Sequence, residues 1–198
     1  ISLWKCRGVY GQRGIPCNFL PFPWDISWAD GIKICAGRLA DQDLTHHAEA
    51  FRRAAAEDKF IGLDLADGDT QTASLREMIQ QYPNVRMAIG HFGMVTTPGW
   101  QEQIRLARYP NVFVESGGIT WLFNSEFYPY PSAVRAILEA RDICGMEKLM
   151  WGSDYPRTMT AITYRMSWDF VDKSPLLTPE EKQLFFHRNS EGFYRFHD

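Results

Sequence analysis

The residues of this chain best suited to chemistry are carboxylates and a histidine that stand just past short apolar runs. In K-L-M-W-G-S-D-Y-P, residues 148–156, an apolar strand stops at Gly152 and delivers Ser153 and Asp154 to its exit. A strand core supplies rigidity and the following loop supplies access, which is how catalytic side chains are commonly presented. The same grammar recurs upstream. His91 follows V-R-M-A-I-G, Glu115 closes V-F-V-E, and Asp64 stands within F-I-G-L-D-L ahead of Asp67 and Asp69. Carboxylates with a histidine suit proton transfer and divalent-metal ligation, and Arg157, three residues past Asp154, has the planar fork that holds a substrate carboxylate.

Each of these residues has a plainer reading. Asp64, Asp67 and Asp69 are also good turn formers, because aspartate hydrogen-bonds its own backbone. A lone histidine is more often a satisfied core residue than a catalyst. Glu115 could pair with a neighbour, and Arg157 could be a surface arginine. His46 and His47 are adjacent in an Ala-rich helical stretch and cannot share a face, so they are read as facing solvent.

The elements that must carry these residues alternate. Strands are expected at 31–37, 60–65, 85–90, 112–115 and 148–151, and helices at 44–59, 72–81, 101–108 and 132–144. A last helix starts at the capping pattern Thr178-Pro179-Glu180-Glu181. Strands alternating with helices imply a parallel sheet with crossover connections. Ligands of such sheets bind beyond the carboxyl ends of the strands, so Asp64, Asp67, His91, Glu115 and Asp154 are expected on one face.

Composition narrows the possibilities. The 198 residues are 45% hydrophobic and 14% aromatic, enough for a sizeable core in one domain. A net charge of -3 without a basic block gives no case for nucleic acid or an anionic membrane, which leaves a small molecule as the expected partner. No apolar run approaches the length of a membrane span and no leader pattern is seen. Cys6, Cys17, Cys35 and Cys144 share no C-x-x-C spacing, so reduced thiols in a cytoplasmic protein are expected. Residues 1–31, dense in aromatics and Pro, read as an insertion or loop segment, and 32–198 as the periodic part that carries the strands and helices. The series Gly8, Gly11, Gly14 lacks the strand and helix of a phosphate loop.

Five segments in order carry a family resemblance: Y-P-N-V-R-M-A-I-G-H-F-G, Y-P-N-V-F-V-E-S-G-G, G-M-E-K-L-M-W-G-S-D-Y-P, L-T-P-E-E-K and R-N-S-E-G-F-Y. Together they resemble the C-terminal part of the amidohydrolase-related family, a branch of the metal-dependent amidohydrolase superfamily. The resemblance implies an α/β fold, the (β/α)8 TIM barrel, of which this chain would hold strands four to eight. It implies Asp154 as metal ligand or acid/base at the end of strand eight and His91 as catalytic partner at the end of strand six. Glu115 and Arg157 are then candidate substrate-binding residues. It also implies a divalent metal ion, zinc first and manganese second. Asp64 is the candidate third ligand beside Asp154 and His91, because it stands where the family often has a histidine.

The H-x-H of the family's first strand is not present, and the chain begins with Ile1, so an incomplete chain is expected. The implied activity is metal-dependent hydrolysis of an amide, ester or lactone in a small molecule. Its alternative is non-oxidative decarboxylation of an aromatic or unsaturated carboxylic acid. A third possibility is a catalytically silent barrel acting as an assembly subunit, whose open strand edge favours a homo-oligomer.

Overall fold

A computed structural model of the chain describes residues 29–40 and 42–195. The expectation for residues 1–31 and the cysteines Cys6 and Cys17 therefore lie wholly or largely outside the described residues. Five strands, β1 Gly31–Ile34, β2 Phe60–Leu63, β3 Met87–Ile89, β4 Val112–Glu115 and β5 Leu149–Met150, form one sheet. Every pairing is parallel and the spatial order is the chain order, β1-β2-β3-β4-β5. A doubly wound sheet reverses its order at a switch point, whereas sequential order is the winding of a barrel wall.

Between the strands lie α1 Ala48–Ala56, α2 Thr72–Gln81, α3 Trp100–Arg105, α4 Ile119–Leu122 and α5 Pro131–Cys144. The expected helix 44–59 begins as a 3-10 turn, Leu44–His47, capped by the Asp43 side chain, and exposed His46 lies in that turn. The expected helix 101–108 ends in another, Leu106–Arg108. After β5 come α6 Met166–Asp172, which the periodicity did not indicate, then α7 Pro179–Gln183, a π turn Leu184–Arg188 and α8 Asn189–Tyr194. The capping box is present as expected, with Thr178 and Glu181 exchanging side-chain and backbone bonds. No helix among the described residues is long and apolar enough to cross a membrane.

The two faces of the sheet do different work, because alternate residues of a strand point to opposite sides. Ile32, Ile61, Leu63, Met87, Ile89, Val112, Val114 and Leu149 belong to the larger core, packed with residues of the helices such as Phe51, Met78, Ile104 and Ile137. On the opposite face Phe60, Ala88 and Met150 join Phe193 of α8 in a second cluster, with Phe113 and Tyr194 against it. Phe193 lies 5.5 Å from Phe60 and 5.2 Å from Phe113, ring centre to ring centre. The C-terminal helix thus closes the amino ends of the strands with aromatic rings. It is anchored by Asn189, whose amide donates 2.8 Å bonds to the carbonyls of Met146 and Leu149. This second face becomes polar toward the carboxyl ends, where Lys33, Asp64 and Glu115 follow the apolar layer.

Two buried glutamines tie together the loops on that side. Gln71 donates to the carbonyls of Ala36 and Gln42 and accepts from the Ala66 amide, while Gln103 donates to the carbonyls of Ala66 and Gly68. Loops satisfied internally in this way hold their shape without water.

Candidate active site

The carboxyl ends of the strands gather a linked set of charges. Lys33 leaves β1 on the inner face, opposite Gly62 in register, and its ammonium contacts Asp64 Oδ1 just beyond β2. The other carboxylate oxygen, Oδ2, lies 3.5 Å from His91 Nε2. His91 Nδ1 in turn lies 2.9 Å from the Gly117 carbonyl, beyond β4. One carboxylate therefore bridges two cations drawn from neighbouring strands. The bridge needs Gly90, because a Cβ there would stand 2.5 Å from Asp64 Oδ1 and 3.3 Å from Lys33 Nζ.

Burial opposes every charge in this set, and the pairing decides the outcome. Burial alone would lower His91, but its hydrogen bond and attraction to Asp64 raise it from 6.5 to about 9, so the imidazole is cationic at neutral pH. Burial likewise works against the Asp64 carboxylate, yet His91 and Lys33 hold it below the ordinary range. Lys33 follows the same logic, desolvation being outweighed by Asp64, and stays above its ordinary value.

Glu115 ends β4 on the same face and is buried, and burial pushes its carboxyl above the ordinary range although Lys33 and His91 pull it back. Its Oε1 has no hydrogen-bond partner among the described residues. The space it fills is left open by the loop just past β5: a Cβ on Gly152 would sit 1.2 Å from Oε1. The stop at Gly152 is thus a requirement for room beside Glu115.

Asp154 and His91 stand on backbone with φ of 49° and 51°, a region that costs a side-chain-bearing residue energy and that clusters at functional positions. Asp154 Oδ2 accepts a 2.9 Å bond from the indole N–H of Trp121 in α4. The same indole meets the His91 ring edge-on, with centroids 5.8 Å apart, and the Arg157 guanidinium lies over it at 4.5 Å from its centroid. Trp121 therefore links three of the residues expected from the sequence. Asp67 and Asp69 stand in the loop turning at Gly68, with φ of 75°, and the Asp69 carbonyl accepts the Thr72 amide.

Sequence reasoning missed Lys33 and Trp121. A single lysine inside the apolar run I-K-I was a visible signal, since a charge in a two-sided buried strand needs a partner. Trp121 carried none, because its helix is only four residues long and its partner Asp154 is 33 residues away.

The expected metal ligands Asp64, His91 and Asp154 do not form one site. Both oxygens of Asp64 face protein cations, and both ring nitrogens of His91 face protein acceptors. Asp154 is engaged by Trp121. Among the described residues no group of three or more His, Cys, Asp or Glu is arranged to hold a metal ion. With Asp64 and His91 committed to protein partners, these three side chains do not by themselves make a divalent-ion site among the described residues.

Residues 69–196 match the Amidohydrolase family model. The L-fucono-1,5-lactonase of Burkholderia ambifaria is 26% identical over 136 residues, 62% of this chain and 46% of the lactonase. The chain thus spans about half the length of that curated relative. A zinc-bound amidohydrolase structure from Burkholderia multivorans superposes with a TM-score of 0.70 at 16% identity, over 88% of this chain and 67% of that one. The structure of a proposed 2-pyrone-4,6-dicarboxylic acid hydrolase from Pseudomonas putida gives a TM-score of 0.68 at 20% identity, over 86% of this chain and 64% of that one. The five sequential parallel strands are those of a partial TIM barrel, and the family match spans well over half of the residues: the chain belongs to the amidohydrolase family.

Proposed function

We propose that the protein hydrolyses a lactone or a similarly activated ester of a small molecule, with Asp154 as the base. The observation that carries this reading is the shared indole: Trp121 pins one oxygen of Asp154 while the cationic His91 packs against the same ring. A carboxylate fixed through Oδ2 presents Oδ1 to a water molecule in a defined direction, and geometry of that kind is what general-base catalysis requires.

In the proposed reaction Asp154 takes a proton from water as the water oxygen bonds to the carbonyl carbon. Negative charge develops on the carbonyl oxygen, and His91 and Lys33 supply the positive potential that offsets it. Collapse breaks the ring C–O bond, and the proton held by Asp154 passes to the departing alkoxide. The relationship to a lactonase supports the choice of bond. A divalent ion is assigned no step, because Asp64 and His91 are committed to protein partners.

The test is a panel of five- and six-membered lactones assayed by acid release, with metal content measured by elemental analysis and Asp154→Asn in parallel. Hydrolysis that falls by about 10²- to 10⁴-fold in the variant is expected of a lost base. Undiminished hydrolysis by Asp154→Asn would refute the assignment. Release of CO2 from an unsaturated acid, without water consumption, would favour decarboxylation instead.

A further inference from the structure

Three cations meet around Trp121 and Asp64, and two of them are committed. Lys33 and His91 are both bound to Asp64. Arg157 is different. It opens the short 3-10 turn Arg157–Thr160 after Asp154 and is exposed; its carbonyl accepts the Thr160 hydroxyl, but its guanidinium makes no hydrogen bond or ion pair with any described residue. Its contact is the face of Trp121, at 4.5 Å.

That contact has a directional consequence. A guanidinium stacked on an aromatic face keeps its N–H donors free, pointing outward in a planar fork that matches the two oxygens of a carboxylate. Stacking also fixes part of the side chain before any ligand arrives, so less freedom is lost on binding. Trp121 is held by Asp154 through its N–H, so the fork is indexed to the proposed base by a single rigid indole.

We infer that Arg157 is the substrate-specificity residue and that the substrate carries a free carboxylate beside the bond to be hydrolysed. This rests on the hydrolase reading of Asp154 for the position of the scissile bond. The fork itself, and its distance from Lys33 and His91 in commitment, stand independently of the reaction. A carboxylate reaching Arg157 replaces water at an unpaired guanidinium and displaces no protein partner. By contrast, reaching Lys33 or His91 means competing with Asp64.

The test compares a six-membered unsaturated lactone bearing a ring carboxylate with its neutral carboxamide, using wild type, Arg157→Met and Arg157→Lys. In Arg157→Met, KM for the carboxylate should rise about 10- to 100-fold, the loss expected of a charged two-point hydrogen bond, with kcat changed far less. The carboxamide should be handled alike by all three proteins, and Arg157→Lys should recover only part of the affinity for the carboxylate. An equal loss on both lactones, or no loss on either, would overturn the inference.

Calorimetric titration with glutarate, a dicarboxylate that cannot be hydrolysed, separates this idea from the reaction. If wild type cleaves neither lactone, the hydrolase reading fails. Glutarate binding that weakens at least tenfold in Arg157→Met would still support the carboxylate fork. Binding that is absent from wild type, or equal in both proteins, would overturn it.

Discussion

Replacing Asp64 by Asn removes the one carboxylate that both Lys33 and His91 use, and the consequence is written in pH. The folded pKa of His91 is raised from 6.5 to about 9, so the stabilisation from its pairing is fully present below pH 6.5 and is lost as pH rises through about 9. At about 1.4 kcal/mol per unit this amounts to roughly 3 kcal/mol, an upper figure. The three side chains remain 23–29% exposed, so screening reduces it. Asp64 acts in the opposite direction. Its folded pKa is depressed, so its contribution is present above its ordinary value near 3.8 and is lost only as pH falls through the lowered one. Lys33, raised above 10.5, keeps its share until pH exceeds that value. Wild-type stability should therefore be flat from about pH 4 to 6.5 and should decline toward pH 9. In Asp64→Asn the starting level should be lower by about 3 kcal/mol, typical of breaking a buried pair by removing one partner. The decline between pH 6.5 and 9 should then largely vanish. Thermal unfolding at pH 5.5, 6.5, 7.5 and 9.5 measures both, with a gap of roughly 6–12 °C at pH 6.5 for a chain of this size. Parallel curves for the two proteins across this range would refute the bridge between His91 and Asp64.

Two further changes test the supports of the site. Trp121→Phe keeps a ring under Arg157 but deletes the N–H held by Asp154; kcat for lactone hydrolysis should drop about tenfold, in line with one hydrogen bond to a charged group, while the unfolding midpoint moves little. Gly152→Ala drives a methyl into Glu115 Oε1 and should cost about 1–3 kcal/mol of stability, read by urea denaturation. Adding Glu115→Ala to it should recover part of the loss, and purely additive effects in that double-mutant cycle would show that the two positions do not compete for space.

Much of the scaffold was legible from local pattern. The apolar runs of β2 to β5 are short, bounded by Gly, Asn or charged residues, and separated by stretches of helical period, and all four form parallel strands. The Thr178 cap could be read because its partner Glu181 is three residues away. Helix α6 was not legible. Its buried Asp169 is satisfied by Lys173 in the next turn but also by Tyr128, 41 residues distant, so the helix depends on a loop that sequence proximity does not reveal.

The site divides along the same line. By itself the sequence determined which side chains stand at strand exits, because a short apolar run that ends in a polar residue or a glycine stop places Asp64, His91, Glu115 and Asp154 at the carboxyl edge whatever their partners. It also carried the family, through segments that fold locally. Only the tertiary structure decided how those groups are spent. Register between β1 and β2 brought Lys33 to Asp64 across 31 residues and so turned an expected metal ligand into an ion-pair bridge. The four-residue helix after β4 brought Trp121 between His91, Asp154 and Arg157. Charge partnership is a property of distances across the sheet, and distances of that kind have no periodic signature along the chain.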